Sequence, residues 1–242
     1  VGSEMCIRDR AYIAFSGLTM LWLGLRQPET LPVAKRRSLR IADLLAATRE
    51  LGRHRVILIS TLLQALTLAA LFATLSSIQP IFDAAHDRAG TFPLWFAVIA
   101  VASMSGSILN SRIVMTLGMR RVVRGTYAAQ IVLTLATLAL LGPGLVRGDA
   151  AFAVMLVWCI GLFAMMGLTI GNLNALAMEP VGHIAGLAAS VISSLATVGS
   201  VLLAIPVGLA FNGTALPLLA GVAVLVALAL ILSIKTLGEP RI

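Results

Sequence analysis

Acidic side chains are the first residues to examine in this chain, because carboxylates carry protons, bind metals and act as catalytic bases. Between positions 56 and 234 the acidic residues are Asp83, Asp87, Asp149 and Glu179, and each lies where an apolar segment ends. No carboxylate falls in the middle of an apolar segment. The sequence therefore predicts no proton-coupling site in this part of the chain.

Enzymatic chemistry inside an apolar environment would need a metal-binding cluster of His and Glu, or a nucleophile beside its base. The apolar segments contain neither, and the chain has no glycine-rich nucleotide-binding loop. Cys6 and Cys159 provide no disulfide or metal framework. We therefore expect no enzyme activity, no cofactor and no metal.

Uncharged polar residues inside the apolar segments are the next candidates. Two sets each share one helix face by their spacing: Gln64, Thr67 and Thr74, and Met165, Thr169 and Asn172. Such faces would offer hydrogen-bonding groups and polarizable methionine to a lipophilic ligand. The alternative is that these side chains bond to neighbouring helices or to their own backbone.

Small residues form two adjacent ridges between positions 185 and 197. One ridge consists of Ala185, Ala189, Ser193 and Thr197, and the other of Gly186, Ser190 and Ser194. This spacing lets two helix backbones approach closely, so it predicts helix packing along both ridges. Gly106 in "SMSGS" (103–107), with Asn110 one turn further, predicts a similar contact.

Composition indicates which solvent surrounds these segments. Of 242 residues, 59% are hydrophobic and 12% are charged, and the mean hydropathy is +1.00. Soluble domains are nearer half apolar and one quarter charged. We therefore expect an all-α integral membrane protein that contacts the lipid bilayer.

Segment length then defines the elements, since a hydrocarbon core of about 30 Å requires about 20 apolar residues per helix. The chain contains a short apolar helix at 11–25, a long connection at 26–55 and a C-terminal tail at 237–242. The six predicted full spans are 56–79, 93–115, 122–142, 151–178, 184–211 and 215–234.

Basic residues separate the loops into two classes. The loops 26–55 and 112–124 and the tail hold most of the Lys and Arg, whereas the loops on the other side hold only Arg88 and Arg147. Because basic loops face the cytoplasm, we expect a cytoplasmic C-terminus. The formal net charge of +8 therefore reflects topology and predicts no nucleic-acid partner. From Ser38 onward the long loop can form an amphipathic helix on the cytoplasmic leaflet, or a solvated linker.

Four stretches resemble proteins of the major facilitator superfamily. "PETL" (28–31) is similar to the end of the sixth helix in drug transporters of that superfamily. "GSILNSRIVMTLGMRRVV" (106–123) resembles the second copy of its cytoplasmic loop motif, with Asn110 where an Asp is expected. The residues that fill this pattern are Gly106, Arg112, Gly118, Arg120 and Arg121. "GLTIGNLNALAMEPVGHIAGLAASVISSLATVGS" (167–200) and "NGTALPL" (212–218) resemble helices ten to twelve of the Bcr/CflA group of drug-resistance proton antiporters.

The resemblance covers roughly 11–236 and implies a fold of two six-helix bundles around a central cavity, with alternating access. It implies that 56–236 is the C-terminal bundle, that 11–25 is part of helix six, and that the N-terminal bundle is missing. It also implies that the two polar faces line the cavity and that the acidic proton carriers belong to the missing bundle.

The function that this resemblance implies is proton-driven export of small lipophilic molecules, cations among them, across a bacterial inner membrane. A metabolite or sugar porter of the same superfamily is the first alternative. A membrane protein that does not transport is the second.

The first ten residues, "VGSEMCIRDR", stand apart from this picture. Their charges cancel, so they fail as the basic region of a signal peptide. The string resembles translated adapter sequence from the broken ends of environmental gene assemblies. We therefore expect 1–10 to be non-native and exclude them from the functional argument.

Overall fold

The computed structural model describes residues 2–27, 49 and 51–236. The chain divides into two compact units, one of residues 1–44 and one of residues 45–242. The predicted amphipathic helix after Ser38 falls largely outside the described residues, and so does the tail 237–242.

The first unit contains one described helix, α1 (Gly2–Arg26). It begins nine residues earlier than the predicted helix at 11–25, because nothing in residues 3–10 interrupts helical hydrogen bonding. Near its end, the guanidinium of Arg26 lies 5.4 Å from the ring of Trp22.

The second unit is a bundle of six long helices. They are α2 (Arg55–Ala84), α3 (Phe92–Leu117), α4 (Met119–Leu141), α5 (Gly148–Met178), α6 (Ala185–Leu209) and α7 (Leu216–Thr236). Short 3-10 helices at Ala89–Thr91 and Glu179–Ile184 complete two of the connections. All six long helices have the length and apolar composition needed to cross a membrane, which confirms a multi-pass α-helical bundle.

The predicted spans agree with these helices to within a few residues at each end. The largest difference is at the end of α2, which continues past Pro80 to Ala84 instead of ending at 79. A proline removes one helical hydrogen bond. The helix can still continue past the proline when the residues that follow are held by packing. Ile81 and Phe82, directly after the proline, are fully buried, and this packing holds the last turn in place.

The core of the bundle lies around α2 and α5. Its largest buried side chains include Tyr127, Met155, Trp158 and Leu162. In the most apolar stretch of α2, 61% of the residues are buried, compared with 11% in α3. The helix α3 is therefore peripheral, and its exposed side chains, such as Val101, Met104 and Ile108, are those that lipid can cover.

Helix packing in the bundle follows an internal symmetry. The largest interfaces join α2 to α5, α6 and α7, join α5 to α3 and α4, and join α4 to α7. Exchanging α2 with α5, α3 with α6 and α4 with α7 leaves this set of pairings unchanged. Consecutive spans cross the membrane in opposite directions, and two helices lie between the members of each exchanged pair, so the members run in opposite directions. The helix pairings are therefore those of an inverted repeat of two three-helix units.

The two ends of the bundle differ in charge. The basic end, where α2, α4 and α6 begin, carries eight described basic residues and one acidic residue, Glu179. The basic residues are Arg49, Arg53, Arg55, Arg112, Arg120, Arg121, Arg124 and Lys235. The opposite end carries Asp83, Asp87, Arg88, Arg147 and Asp149.

Candidate functional site

The polar face of α2 points into the bundle. Thr67 is 1% exposed, donates a hydrogen bond to the carbonyl of Leu63 at 2.7 Å, and lies 2.6 Å from the hydroxyl of Tyr127 on α4. Thr74 is fully buried and donates to the carbonyl of Ala70 at 2.8 Å. Both threonines are therefore satisfied by the protein itself.

Gln64 differs from the two threonines. It is buried, and its Nε2 has no hydrogen-bond partner among the described residues. One turn earlier on the same face, the buried hydroxyl of Ser60 is also without a partner in the described part of the chain. Buried polar groups are normally paired, so this short stretch of α2 is where the bundle interior has unused hydrogen-bonding capacity.

The polar face of α5 also lies inside the bundle. Thr169 is fully buried and donates to the carbonyl of Met165 at 2.7 Å. Asn172 donates from Nδ2 to Oδ1 of Asn110 on α3, at 2.7 Å, and to the carbonyl of Leu168 at 2.8 Å. Asn172 therefore joins α5 to α3.

The six residues predicted to line a cavity thus have different surroundings. Met165 lines a groove between α3 and α4. Thr67 and Asn172 join helices, and Thr74 and Thr169 bond to their own helix. Of these six residues, Gln64 alone is buried and has an amide nitrogen without a hydrogen-bond partner among the described residues.

Sequence reasoning missed a second polar network, which joins α4 to α5. The indole nitrogen of Trp158 donates to the hydroxyl of Thr134 at 3.0 Å, and Thr134 donates to the carbonyl of Gln130 at 2.8 Å. The signal was present, since Thr126, Gln130, Thr134 and Thr137 recur along one face of α4 and are all buried. On a membrane helix, a stripe of polar side chains marks the face that packs on other helices.

The residues of the predicted loop motif are spread over two helices and one connection. Gly118 alone forms the connection between α3 and α4, with a φ of 78° that favours glycine. Arg120 and Arg121 lie in the first turn of α4, and Arg112 is exposed near the end of α3.

Gly106 and Asn110, the first residues of the motif, lie within α3, as they do in the predicted span 93–115. A Cβ at Gly106 would overlap the carbonyl oxygen of Ala164 on α5, and one at Gly167 would lie 2.8 Å from the backbone nitrogen of Ser107. These glycines therefore allow α3 and α5 to cross at close range, which confirms the predicted contact at Gly106.

An ion pair at the basic end joins α4 to the connection after α5. Nη2 of Arg120 lies 3.6 Å from Oε2 of Glu179. The Arg120 side chain is 25% exposed and the Glu179 side chain 48%, so water screens the pair and its energy is small. Glu179 is therefore a partner of Arg120 at the bundle end.

The small ridges of α6 do not pack on the described helices of this bundle. Gly186, Ser190 and Ser194 are exposed, and so are Ala185, Ala189, Ser193 and Thr197. Packing against α2 instead uses the next row along the helix, which consists of Ala188, Ile192, Ala196, Ser200 and Ala204. The same four-residue spacing runs through all three rows, so spacing alone could not select the packed row.

The exposed ridges of α6 change in character along the helix. Toward the basic end they carry Gly, Ala, Ser and Thr, whereas further along they carry Val198, Val201, Leu202 and Ile205. Lipid-facing positions favour large apolar side chains. The small polar half of this surface is therefore suited to contact another helix or water.

Aromatic and charged residues form a cluster at the opposite end. Nη2 of Arg88 donates to Oδ1 of Asp149 at 2.6 Å, and its guanidinium lies 4.4 Å from the ring of Phe152 and 5.6 Å from that of Trp95. This cluster joins the end of α2 to the beginnings of α3 and α5.

His86 borders the same cluster, 5.3 Å from the ring of Phe152. Partial burial lowers the pKa of His86 below its ordinary value, and the positive charge of Arg88 lowers it further. The imidazole is therefore neutral at pH 7.

Comparison with known proteins provides no relative for this chain. No family model, no curated protein and no solved structure matches it. In the described part of the chain, no group of three or more His, Cys, Asp or Glu side chains could hold a metal ion.

Proposed function

We propose that residues 55–236 form the C-terminal six-helix bundle of a major facilitator transporter. The observation that supports this most is the inverted repeat of two three-helix units, an arrangement on which secondary transporters of that superfamily are built. In such proteins the substrate site lies where repeats meet, and alternating access comes from the movement of one bundle against another.

The exposed small ridges of α6 supply a second line of support. In the proposed protein, Gly186, Ser190 and Ser194 contact the N-terminal bundle or the central cavity instead of lipid. This assignment explains why small polar side chains occupy an exposed membrane-embedded surface that large apolar side chains would otherwise cover.

The proposed activity is proton-driven export of small lipophilic molecules across a bacterial inner membrane, as in the Bcr/CflA group that the sequence resembles. The described residues of the bundle interior contain no carboxylate, so the proton carrier belongs to the N-terminal bundle. Gln64, with its unpaired buried amide, is the candidate residue for polar contact with a substrate. A metabolite or sugar porter of the same superfamily remains the alternative.

The gene sequence directly upstream tests the proposal. We expect it to encode at least five further apolar helices, with an acidic residue inside the first. Expressed in an efflux-deficient host, the complete protein should lower drug accumulation, and a protonophore should abolish that effect.

The 242-residue chain alone is the matched control in that host. It should confer no efflux, because one wall of the cavity and the proton carrier are absent. Robust efflux by this chain alone, or an upstream sequence without apolar helices, would contradict the proposal.

A further inference from the structure

A groove of about 370 Å³ runs along the outside of the bundle between α3 and α4. Both helices pack extensively on α5 but contact each other little, so α5 forms the floor of the groove. Gly161 and Ala164 lie in that floor, and Gly125 and Ala129 lie in the wall formed by α4. On the α4 side there is open space, since a Cβ at Gly125 would meet no atom within 4 Å.

The groove has the length of a lipid chain in one leaflet. Its lining extends along α4 from Arg121 at the basic end to Leu133. At a rise of 1.5 Å per residue, the twelve steps from Arg121 to Leu133 span about 18 Å, close to half of a hydrocarbon core of about 30 Å.

The surface of the groove is apolar except at its mouth. Leu109, Ile113 and Leu168 contribute to the apolar lining. The two polar residues within the groove bond inside the protein, since Thr126 donates to the carbonyl of Val122 and Gln130 to the hydroxyl of Thr134. The interior therefore suits a hydrocarbon chain better than water.

The mouth of the groove is positively charged. Arg121 lines it, and Arg112, Arg120 and Arg124 lie at the same end of the bundle. Basic residues at a membrane surface attract anionic headgroups, and a guanidinium binds a phosphate through charge-assisted hydrogen bonds. The same charges disfavour a lipophilic cation.

We propose that this groove binds one anionic phospholipid from the leaflet at the basic end. One acyl chain lies along α5 between α3 and α4, and the phosphate contacts Arg121. The site is separate from the proposed transport activity and requires only that the bundle lies in a membrane.

Native mass spectrometry of the full chain tests this site. The protein is equilibrated in detergent with equal amounts of phosphatidylglycerol and phosphatidylcholine, and the lipid that stays bound is identified. We expect one phosphatidylglycerol molecule to be retained in preference to phosphatidylcholine. Arg121→Gln should weaken that retention about fivefold, the effect of losing one basic residue at a membrane surface.

A second variant tests the acyl-chain part of the site. Gly125 lines the groove and a Cβ there meets no atom within 4 Å, so the side chain of Gly125→Leu begins in open groove space. We expect this variant to keep the thermal stability of the unmodified chain and to lose the bound lipid.

Matched controls separate this groove from other surfaces. Arg147→Gln removes a basic residue at the opposite end, and Gly171→Leu fills open space on α5 outside the groove lining. Both should retain the lipid, and excess inorganic phosphate should fail to displace it. Equal retention of the two lipids, or full retention by Gly125→Leu, would overturn the proposal.

Discussion

At the scale of single residues, three hydrogen bonds between interior side chains join the helices of this bundle. Asn172 bonds to Asn110, Thr67 to Tyr127, and Trp158 to Thr134. Without water to compete, each pair satisfies groups that would otherwise be unpaired in an apolar interior. These contacts fix which helix faces meet.

The Asn110–Asn172 bond provides a test of this structural role. Asn172→Ala should lower the free energy of unfolding by about 0.6 to 1.7 kcal/mol, the range measured for such bonds between membrane helices. The measurement is unfolding in mixed micelles of a mild detergent and sodium dodecyl sulfate. Combined with Asn110→Ala, the two losses should be less than additive. Simple additivity would show that the side chains do not interact.

His86 predicts a pH dependence at the opposite end of the bundle. Its pKa is lowered in the folded protein, so between that pKa and about 6.5 the unfolded chain binds more protons. Stability should therefore decrease as the pH falls below about 6.5 and stay level above it. The imidazole lies near the rings of Phe82 and Phe152 and the charge of Arg88, and Asp87 and Asp149 line the same pocket.

The variant His86→Gln isolates this effect from the other titrating groups. The unfolding midpoint is measured between pH 5 and pH 8 for both proteins. The unfolding midpoint of the unmodified protein minus that of the variant should decrease as the pH falls below about 6.5. Above about pH 7 this difference should be constant. A constant difference over the whole interval would mean that the imidazole gains no proton on unfolding.

At the scale of helices, the sequence determines where the spans lie but not which face of each is packed. Apolar length located all six helices, because the bilayer requires a minimum length whatever the neighbours are. On α6, by contrast, three adjacent rows of side chains have the same four-residue spacing. Only the row that begins at Ala188 packs on α2. Selecting that row needs the shape of α2, which the sequence of α6 does not contain.

The crossing of α3 and α5 depends on Gly106. Gly106→Ala should destabilise the bundle by about 1 to 3 kcal/mol, because the added methyl overlaps Ala164 and forces the helices apart. Gly125→Ala is the control, since its Cβ meets open space and alanine favours a helix by about 1 kcal/mol. Unfolding in mixed micelles should separate the two variants. Equal stability would exclude a close crossing at Gly106.

The exposed ridge of α6 should matter for transport and not for the stability of this chain. Ser190→Leu changes an exposed position, so the unfolding midpoint should stay within about 0.5 kcal/mol of its original value. Ala196→Leu changes a fully buried position and should destabilise the bundle by overpacking.

In the proposed two-bundle transporter this ridge faces the N-terminal bundle or the cavity, so the same Ser190→Leu change should abolish drug efflux there. The readout is drug accumulation in the efflux-deficient host, with membrane protein levels compared by immunoblot. Unchanged efflux at equal protein levels would assign this ridge to lipid instead.

At the scale of the whole molecule, the internal symmetry and the charge difference between the ends come from different parts of the sequence. The apolar helices produce the inverted repeat, whereas the connections and the first helical turns carry the charge. The charge difference could be predicted from the sequence because it depends on loop composition alone. The repeat could not be predicted in this way, because it depends on which helices contact each other.

The charge difference predicts the orientation in the membrane. The basic end should face the cytoplasm, because Lys and Arg near the ends of spans are retained on that side. Green fluorescent protein fused after Ile242 should therefore fluoresce, and alkaline phosphatase inserted at Gly144, in the connection between α4 and α5, should be active. The reciprocal fusions, with each reporter at the other position, should both be silent, because each reporter functions on one side of the membrane only. Fluorescence at Gly144 together with phosphatase activity at Ile242 would reverse the orientation and place the basic groove in the outer leaflet.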